Sequence, residues 1–233
     1  MKDPKRMKFD SIADSGVYLY HHEANLEYAR AALEGADLLN IGCWTGDFEQ
    51  LATGLASRVT GLDIEEKALD VARKRNPTAD FVCGSALDIP FPDKRFDVVT
   101  LFAVIEHLPV GSEQRALDEI FRVLKPGGYF VLSTPAWNLR SRLMDPACLL
   151  TGHRHYRSDE LAKMVKEAGF TVIGRDILGG WIYAFDYLTF YVFKYIVRTT
   201  MPHPRWWIDA FRKDTRSRGF GTLYLMSRRN AVP

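Results

Sequence analysis

A pair of glycines and a downstream carboxylate are the first residues in this chain whose types and spacing suggest chemistry. The segment Asn40-Ile41-Gly42-Cys43-Trp44-Thr45-Gly46-Asp47 follows a short apolar run and precedes an amphipathic one. Glycines at such a bend adopt positive φ and let the backbone approach a ligand. The helix behind them offers N–H groups with no intrahelical partner. A tight strand-to-helix turn uses the same residues, so the loop alone does not choose between binding and geometry. Asp63 stands at the end of a second apolar run, 21 residues after Gly42. A carboxylate there can accept from both hydroxyls of a ribose, and it can equally cap the following helix.

Two further groups carry titratable chemistry. His107 follows a fourth apolar run, and an imidazole with an ordinary pKa of about 6.5 suits proton removal from a hydroxyl. Bracing of the loop is the competing role. His153-Arg154-His155-Tyr156 forms a second cluster, a base or anion-binding candidate, with His155 as its base. The alternative is a solvated loop before a helix. His153 and His155 would point the same way on a strand, but no third ligand accompanies them, so no metal site is expected.

The elements that must position these residues alternate in type. Leu38–Ile41, Val59–Leu62, Phe81–Cys83, Val98–Phe102 and Tyr129–Ser133 are short apolar runs bounded by Gly, Asp, Asn or Pro, and read as buried strands. Between them, Asp47–Ser57, Glu65–Arg75 and Glu113–Leu124 read as helices, the last stopped by Lys125-Pro126-Gly127-Gly128. Ser158–Gly169 reads as a further helix, and Phe170–Arg175 and Thr222–Ser227 as late strands. Alternation of this kind implies right-handed crossovers and a parallel sheet covered on both faces, with ligands outside the carboxyl ends of the strands.

Composition bounds the function. The 233 residues are 47% apolar and 26% charged, with a net charge of +2. Wholesale disorder is excluded, and so balanced a chain is not built to hold nucleic acid. Cys43, Cys83 and Cys148 form no C-x-x-C pair, which points to a reducing, cytoplasmic setting. Met1–Lys8 is charged with no apolar stretch behind it, unlike a signal peptide.

Four blocks then occur in order: LLNIGCWTGDF (38–48), VTGLDI (59–64), GSALDIPFPDKRFDVVTLFAVIEHL (84–108) and LKPGGYFVLSTP (124–135). Together they resemble the class I S-adenosylmethionine-dependent methyltransferases, in the small-molecule branch of ubiquinone-biosynthesis-like and cell-envelope-cluster enzymes. The stretch HYRSDELAKMVKEAGFTVIGRD (155–176) resembles the family's late helix and strand. The resemblance implies an α/β fold: a Rossmann-like, seven-stranded, mostly parallel sheet with the last strand antiparallel and helices on both faces. It implies S-adenosyl-L-methionine as cofactor, with Asn40, Gly42, Cys43 and Gly46 around the methionine part. Asp63, with Ile64 after it, would sit at the ribose, Ser85 and Ala86 beside the adenine, and Leu101 and Phe102 under the cofactor.

The sequence departs from the family pattern at Asn40, usually acidic, at Trp44, commonly glycine, and at Ser85, where the family carries an acid. A dehydrogenase reading fails because G-x-G-x-x-G is absent: Trp44 and Asp47 occupy its second and third glycine positions. The metal-binding E-x-x-E-H of some relatives is Ala103-Val104-Ile105-Glu106-His107 here, one ligand short. The implied reaction is in-line methyl transfer, with oxygen the expected acceptor atom, to a small-molecule or lipid-linked compound. The rival class is a cofactor-binding scaffold that has lost catalysis, which Asn40 and Trp44 favour.

Residues 1–233 read as one methyltransferase domain with two additions, an acceptor-side loop at 136–157 and an insertion at 177–220 between the last two strands. The insertion begins with the aromatic run Trp181–Val197, interrupted by Asp186 and Lys194. From Arg198 to the end the chain is basic, with only Asp209 and Asp214 as acids. Three readings of this aromatic and basic insert stay open: a cap giving the site an apolar acceptor pocket, a homodimer interface or simple core packing, and a helix lying on a membrane surface through 181–197.

Overall fold

The structure, a computed structural model, describes residues 19–145, 148, 152–197 and 203–230. Met1–Lys8, Arg198 and parts of the 136–157 and 177–220 segments lie outside the described residues.

The chain runs α1 (Leu19–Leu33), β1 (Asp37–Ile41), α2 (Asp47–Ala52), β2 (Arg58–Asp63), α3 (Glu66–Arg75), β3 (Asp80–Cys83) and β4 (Phe96–Phe102). It continues through a short 3₁₀ turn (Ile105–His107), α4 (Glu113–Val123), β5 (Leu124–Pro135), α5 (Leu139–Met144), α6 (Ser158–Glu167) and β6 (Phe170–Leu178). The insert forms α7 (Trp181–Val192), which widens into a π turn over Phe193–Val197, then α8 (Arg205–Thr215), and β7 (Thr222–Arg229) closes the sheet.

The seven strands order as β3-β2-β1-β4-β5-β7-β6. Every neighbouring pair is parallel except those made by β7. After β1 the chain moves outward through β2 and β3, then returns to β4 on the other side of β1. The topological switch therefore falls between β1 and β4, where adjacent loops diverge and leave a crevice. The strands at this point are buried on both faces. Leu39, Ile41, Val99 and Leu101 pack under α4, whose Ala116, Leu117, Ile120 and Val123 form one apolar stripe. Leu38, Val98, Phe102 and Val131 pack under α1 through Leu26, Ala29 and Leu33.

Among the boundaries that differ from the sequence reading, two have a plain backbone cause. α2 stops at Ala52 because Thr53 turns extended and Gly54 takes φ +98°. The Lys125–Gly128 stretch ends α4 as expected but already belongs to β5, where a register shift opposite Phe96–Val98 and φ +77° at Gly127 absorb the glycines. α1 had no counterpart in the sequence reading. Its buried side chains include alanines, whose weak apolar contrast leaves little helical periodicity to see.

Because β6 runs parallel to β5, its end at Leu178 arrives on the same edge of the sheet as the ends of β1, β4 and β5. The insert therefore starts at the mouth of the crevice.

Candidate functional site

The loop after β1 is held by main-chain hydrogen bonds. Gly42 N donates to Leu62 O at 2.7 Å, and Gly46 N to Cys43 O at 2.9 Å. Gly42 and Gly46 have φ +79° and +80°. A Cβ on Gly42 would collide with the Val104 side chain, and one on Gly46 with Asn76 and Phe81, so both glycines are also required by packing. Trp44 takes φ +44° without being glycine, a conformation that costs about 1–2 kcal/mol. Its amide donates to Asp63 Oδ2 at 2.8 Å, which holds the turn in place.

Asp63 serves the capping role read from its position and a second one that the sequence did not show. Oδ1 accepts from Glu65 N at 2.9 Å at the start of α3, while Oδ2 grips the glycine loop. The residue stays partly exposed, and each oxygen retains a second lone pair. Beside it Ile64 is 75% exposed, an uncovered apolar side chain at the end of a buried strand.

The other expected cofactor residues divide into exposed and internal groups. Cys43 turns its thiol inward against Leu69, Ala72 and Phe81, and burial pushes its pKa well up. Asn40 is 3% exposed: it donates to Glu49 Oε1 at 2.7 Å and accepts from Thr100 Oγ1 at 2.8 Å. Glu49 is fully buried, which raises its carboxyl to about 8 against the pull of the Asn40 hydrogen bond. Ser85 Oγ accepts from Leu87 N at 3.1 Å in the loop after β3, with Ala86 buried beside it. Leu101 lies wholly in the sheet core, and Phe102 packs edge-on against Phe48 at 4.9 Å.

Next to this crevice, over the ends of β4, β5 and β6, lies a cavity of about 270 Å³. Ala103, Glu106 and His107 form its floor, Ser133 and Thr134 one wall, and Tyr183, Asp186, Tyr187 and Phe190 of α7 its roof. α1 contributes Asn25, and His203 enters just before α8. Glu106 is buried and accepts from Thr134 Oγ1 at 3.0 Å, and burial raises its carboxyl to about 7. His107 opens onto the cavity. Removal from bulk water, then the neighbouring His153 and Arg154 charges, lowers its imidazole to about 4.

The histidine that meets His107 is His153, edge to face at 4.4 Å. Its Nδ1 lies 3.4 Å from the Tyr187 hydroxyl and 3.6 Å from Asp145 Oδ2. The expectation for His155 is corrected in position. Its side chain is 2% exposed, outside the cavity lining, with Nε2 2.9 Å from Asp145 Oδ2 and Nδ1 3.2 Å from Ala136 O. Ala136 and Tyr156 form an isolated parallel bridge just past the end of β5, and both histidines reach Asp145 Oδ2 from there. Against burial, which acts upward, His153 and His155 hold the Asp145 carboxyl well below the usual range.

Asp186 and His203 did not emerge as site residues from sequence. Asp186 is 1% exposed; Tyr20 Oη lies 3.4 Å from it, His203 Nε2 lies 3.5 Å away, and Trp207 Nε1 donates to it. The available signal was a single acid within an apolar run, since a buried charge must be paired or hydrogen-bonded. Among the described residues no group of three or more His, Cys, Asp or Glu side chains is placed to hold a metal ion.

The comparisons with known proteins agree with this architecture. Residues 39–132 match the family model described as a methyltransferase domain. The chain is 34% identical over 168 residues to a probable S-adenosylmethionine-dependent methyltransferase of Mycolicibacterium smegmatis, covering 72% of this chain and 64% of that one. It is 33% identical over 156 residues to the ubiquinone biosynthesis O-methyltransferase of Thiobacillus denitrificans, covering 60% and 66%. In both cases the chain spans just under two thirds of the relative's length. The N-methyltransferase NodS of Bradyrhizobium japonicum, solved with S-adenosyl-L-homocysteine, shares the fold at a TM-score of 0.61 and 17% identity, covering 90% of this chain and 87% of that one.

Proposed function

The chain carries a class I S-adenosylmethionine-dependent methyltransferase domain, and on that premise we propose that it methylates a hydroxyl of a small-molecule or lipid-linked acceptor bound in the cavity beneath α7. The observation that supports this reading is adjacency. The Gly42–Gly46 loop and Asp63 border the switch-point crevice, and the cavity with His107 and His153 begins at Ala103, at the end of β4.

The residues fit S-adenosyl-L-methionine. Asp63 keeps acceptor capacity for the ribose, Ile64 offers an uncovered apolar surface for the adenine, and Gly42 and Gly46 keep the backbone thin. Ser85 and Ala86 border the adenine side and Phe102 the floor, while Asn40, Cys43 and Leu101 act from within, by shaping the loop and sheet. When bound, the cofactor supplies a methyl group already activated on a sulfonium sulfur.

The chain's own residues position the acceptor, exclude water and take the proton. Tyr183, Tyr187 and Phe190 wall the cavity with aromatic surface. A hydroxyl oxygen becomes strongly acidic only as its new bond to carbon forms, so a neutral imidazole of low pKa is an adequate acceptor for a late proton. His107, facing the cavity, is that base, and His153 stands behind it. His155 positions the loop through Asp145.

Calorimetry with S-adenosyl-L-methionine and with S-adenosyl-L-homocysteine tests the premise. Both should bind, and Asp63→Ala should weaken each by about tenfold or more, the worth of a charge-assisted hydrogen bond. Heat from neither compound would defeat the reading. Binding without transfer of labelled methyl to any phenolic, enolic or carboxylic acceptor would favour the scaffold instead.

A further inference from the structure

Helix α7 is apolar on two opposite sides. Tyr183, Tyr187 and Phe190 face the cavity. Trp181, Phe185 and Val192 fall on the other side of the helix at 3.6 residues per turn. Trp181 and Phe185 are 57% and 54% exposed, and Ile196 in the following π turn is 76% exposed. The neighbouring α5 repeats the pattern: Ser141 and Met144 lie against Tyr183 and Tyr187, whereas Leu139 and Leu143 are 72% and 74% exposed. So much large apolar surface on adjoining helices marks a binding face rather than scattered exposure.

The exposed charges on these two segments have one sign. Residues 136–144 carry Arg140 and Arg142, both exposed, and no acid. Within 181–197 the only acid is Asp186, which is buried on the cavity side. The Arg140 guanidinium lies 5.8 Å from the Trp181 ring centroid, and that of Arg157 lies 3.6 Å from the Trp137 ring centroid. Indoles and arginine side chains in this arrangement suit the level where acyl chains meet headgroups. No helix among the described residues is long and apolar enough to cross a membrane.

We propose that the exposed faces of α5 and α7 dock this protein on an anionic lipid bilayer, with Trp181, Phe185, Leu139, Leu143 and Ile196 entering the interface and Arg140 and Arg142 meeting the headgroups. Charge complementarity selects this occupant. A two-fold contact through this face would bring together two copies of a surface with no exposed acid on α5 or α7 to pair with Arg140 and Arg142, whereas anionic headgroups neutralise them. The proposal is independent of the reaction, because the docking face points away from the cavity-lining side of α7.

Vesicle flotation of the full chain tests it. The protein should float with vesicles of phosphatidylcholine containing about a third phosphatidylglycerol, release as salt rises, and stay behind with pure phosphatidylcholine. Phe185→Ser/Ile196→Ser and Arg140→Glu/Arg142→Glu should each cut the floated fraction's partition coefficient by about tenfold or more. Val110→Ser, removing an apolar side chain that is 87% exposed elsewhere, should leave it unchanged. Circular dichroism and thermal midpoints identify any variant that has lost its fold, and the arginine pair then decides alone. Absence of flotation with anionic vesicles, or wild-type flotation of both folded double variants, would overturn the proposal. So would a dimer in size-exclusion chromatography that Phe185→Ser/Ile196→Ser dissolves, since the face would then belong to a second copy.

Discussion

At the scale of single residues, Asn40 and Glu49 explain one another. Asn40 offers Nδ2–H to a buried carboxyl and Oδ1 to Thr100, a pairing an aspartate could not make. Asn40→Asp should therefore destabilise the protein by about 2–4 kcal/mol in urea titration at pH 8–9, where two carboxylates would face each other without water. Glu49 has its own pH signature. Its carboxyl is raised from 4.5 to about 8, so the stabilisation linked to its protonated form is complete below pH 4.5 and is lost as pH rises through 8. Glu49→Gln cannot ionise. Its stability relative to wild type should climb between pH 5 and pH 9 by about 4 kcal/mol, and parallel curves across that range would contradict the assignment. His107 and His155 separate by readout. His107→Ala should reduce kcat by about 10²-fold or more with cofactor affinity intact. His155→Ala should instead lower stability by about 1–3 kcal/mol, since Asp145 loses a buried partner.

At the scale of elements, α7 begins without a cap of its own: Gly180 precedes it, and no side chain nearby in sequence accepts from its first turn. The cap comes from α8, where Asp214 Oδ2 accepts from Gly180 N at 2.7 Å and from Tyr183 N at 2.9 Å. Gly180 leaves room for that carboxylate, because a Cβ there would meet Asp214 Oδ1. One carboxylate thus orients the cavity roof through a contact between residues 31 and 34 positions apart. Asp214→Ala should cost about 1–2 kcal/mol in denaturant unfolding. With the roof loosened, KM for the acceptor should rise more than the Kd for the cofactor. The aromatic character of Trp181–Val197 was legible in the sequence, because composition alone shows it. The sequence did not reveal this cap, which pairs residues that are distant along the chain.

At the scale of the whole molecule, one end of the sheet brings everything together. The strands were legible because each is a short apolar run with turn residues at its ends, and parallel order followed from the intervening helices. The glycine loop and Asp63 were legible because their roles depend on local backbone conformation and on their place directly after a strand. The rest of the site is assembled from α1, the end of β4, the loop before α6, and the insert. Arg212 ties this roof to α1 by a two-pronged ion pair with Glu23 at 2.7 Å. That bridge is exposed enough that Arg212→Ala should change stability by no more than about 1 kcal/mol. Residue types and spacing by themselves determined the alternating architecture and the glycine bend after β1, since both follow from periodicity and from φ values that few residues tolerate. Only the tertiary structure decided which histidine meets the cavity, that Asp186 is buried in its roof, and which side of α7 is left uncovered. Those outcomes depend on how segments far apart in the chain pack over one sheet edge, and no local pattern encodes such packing.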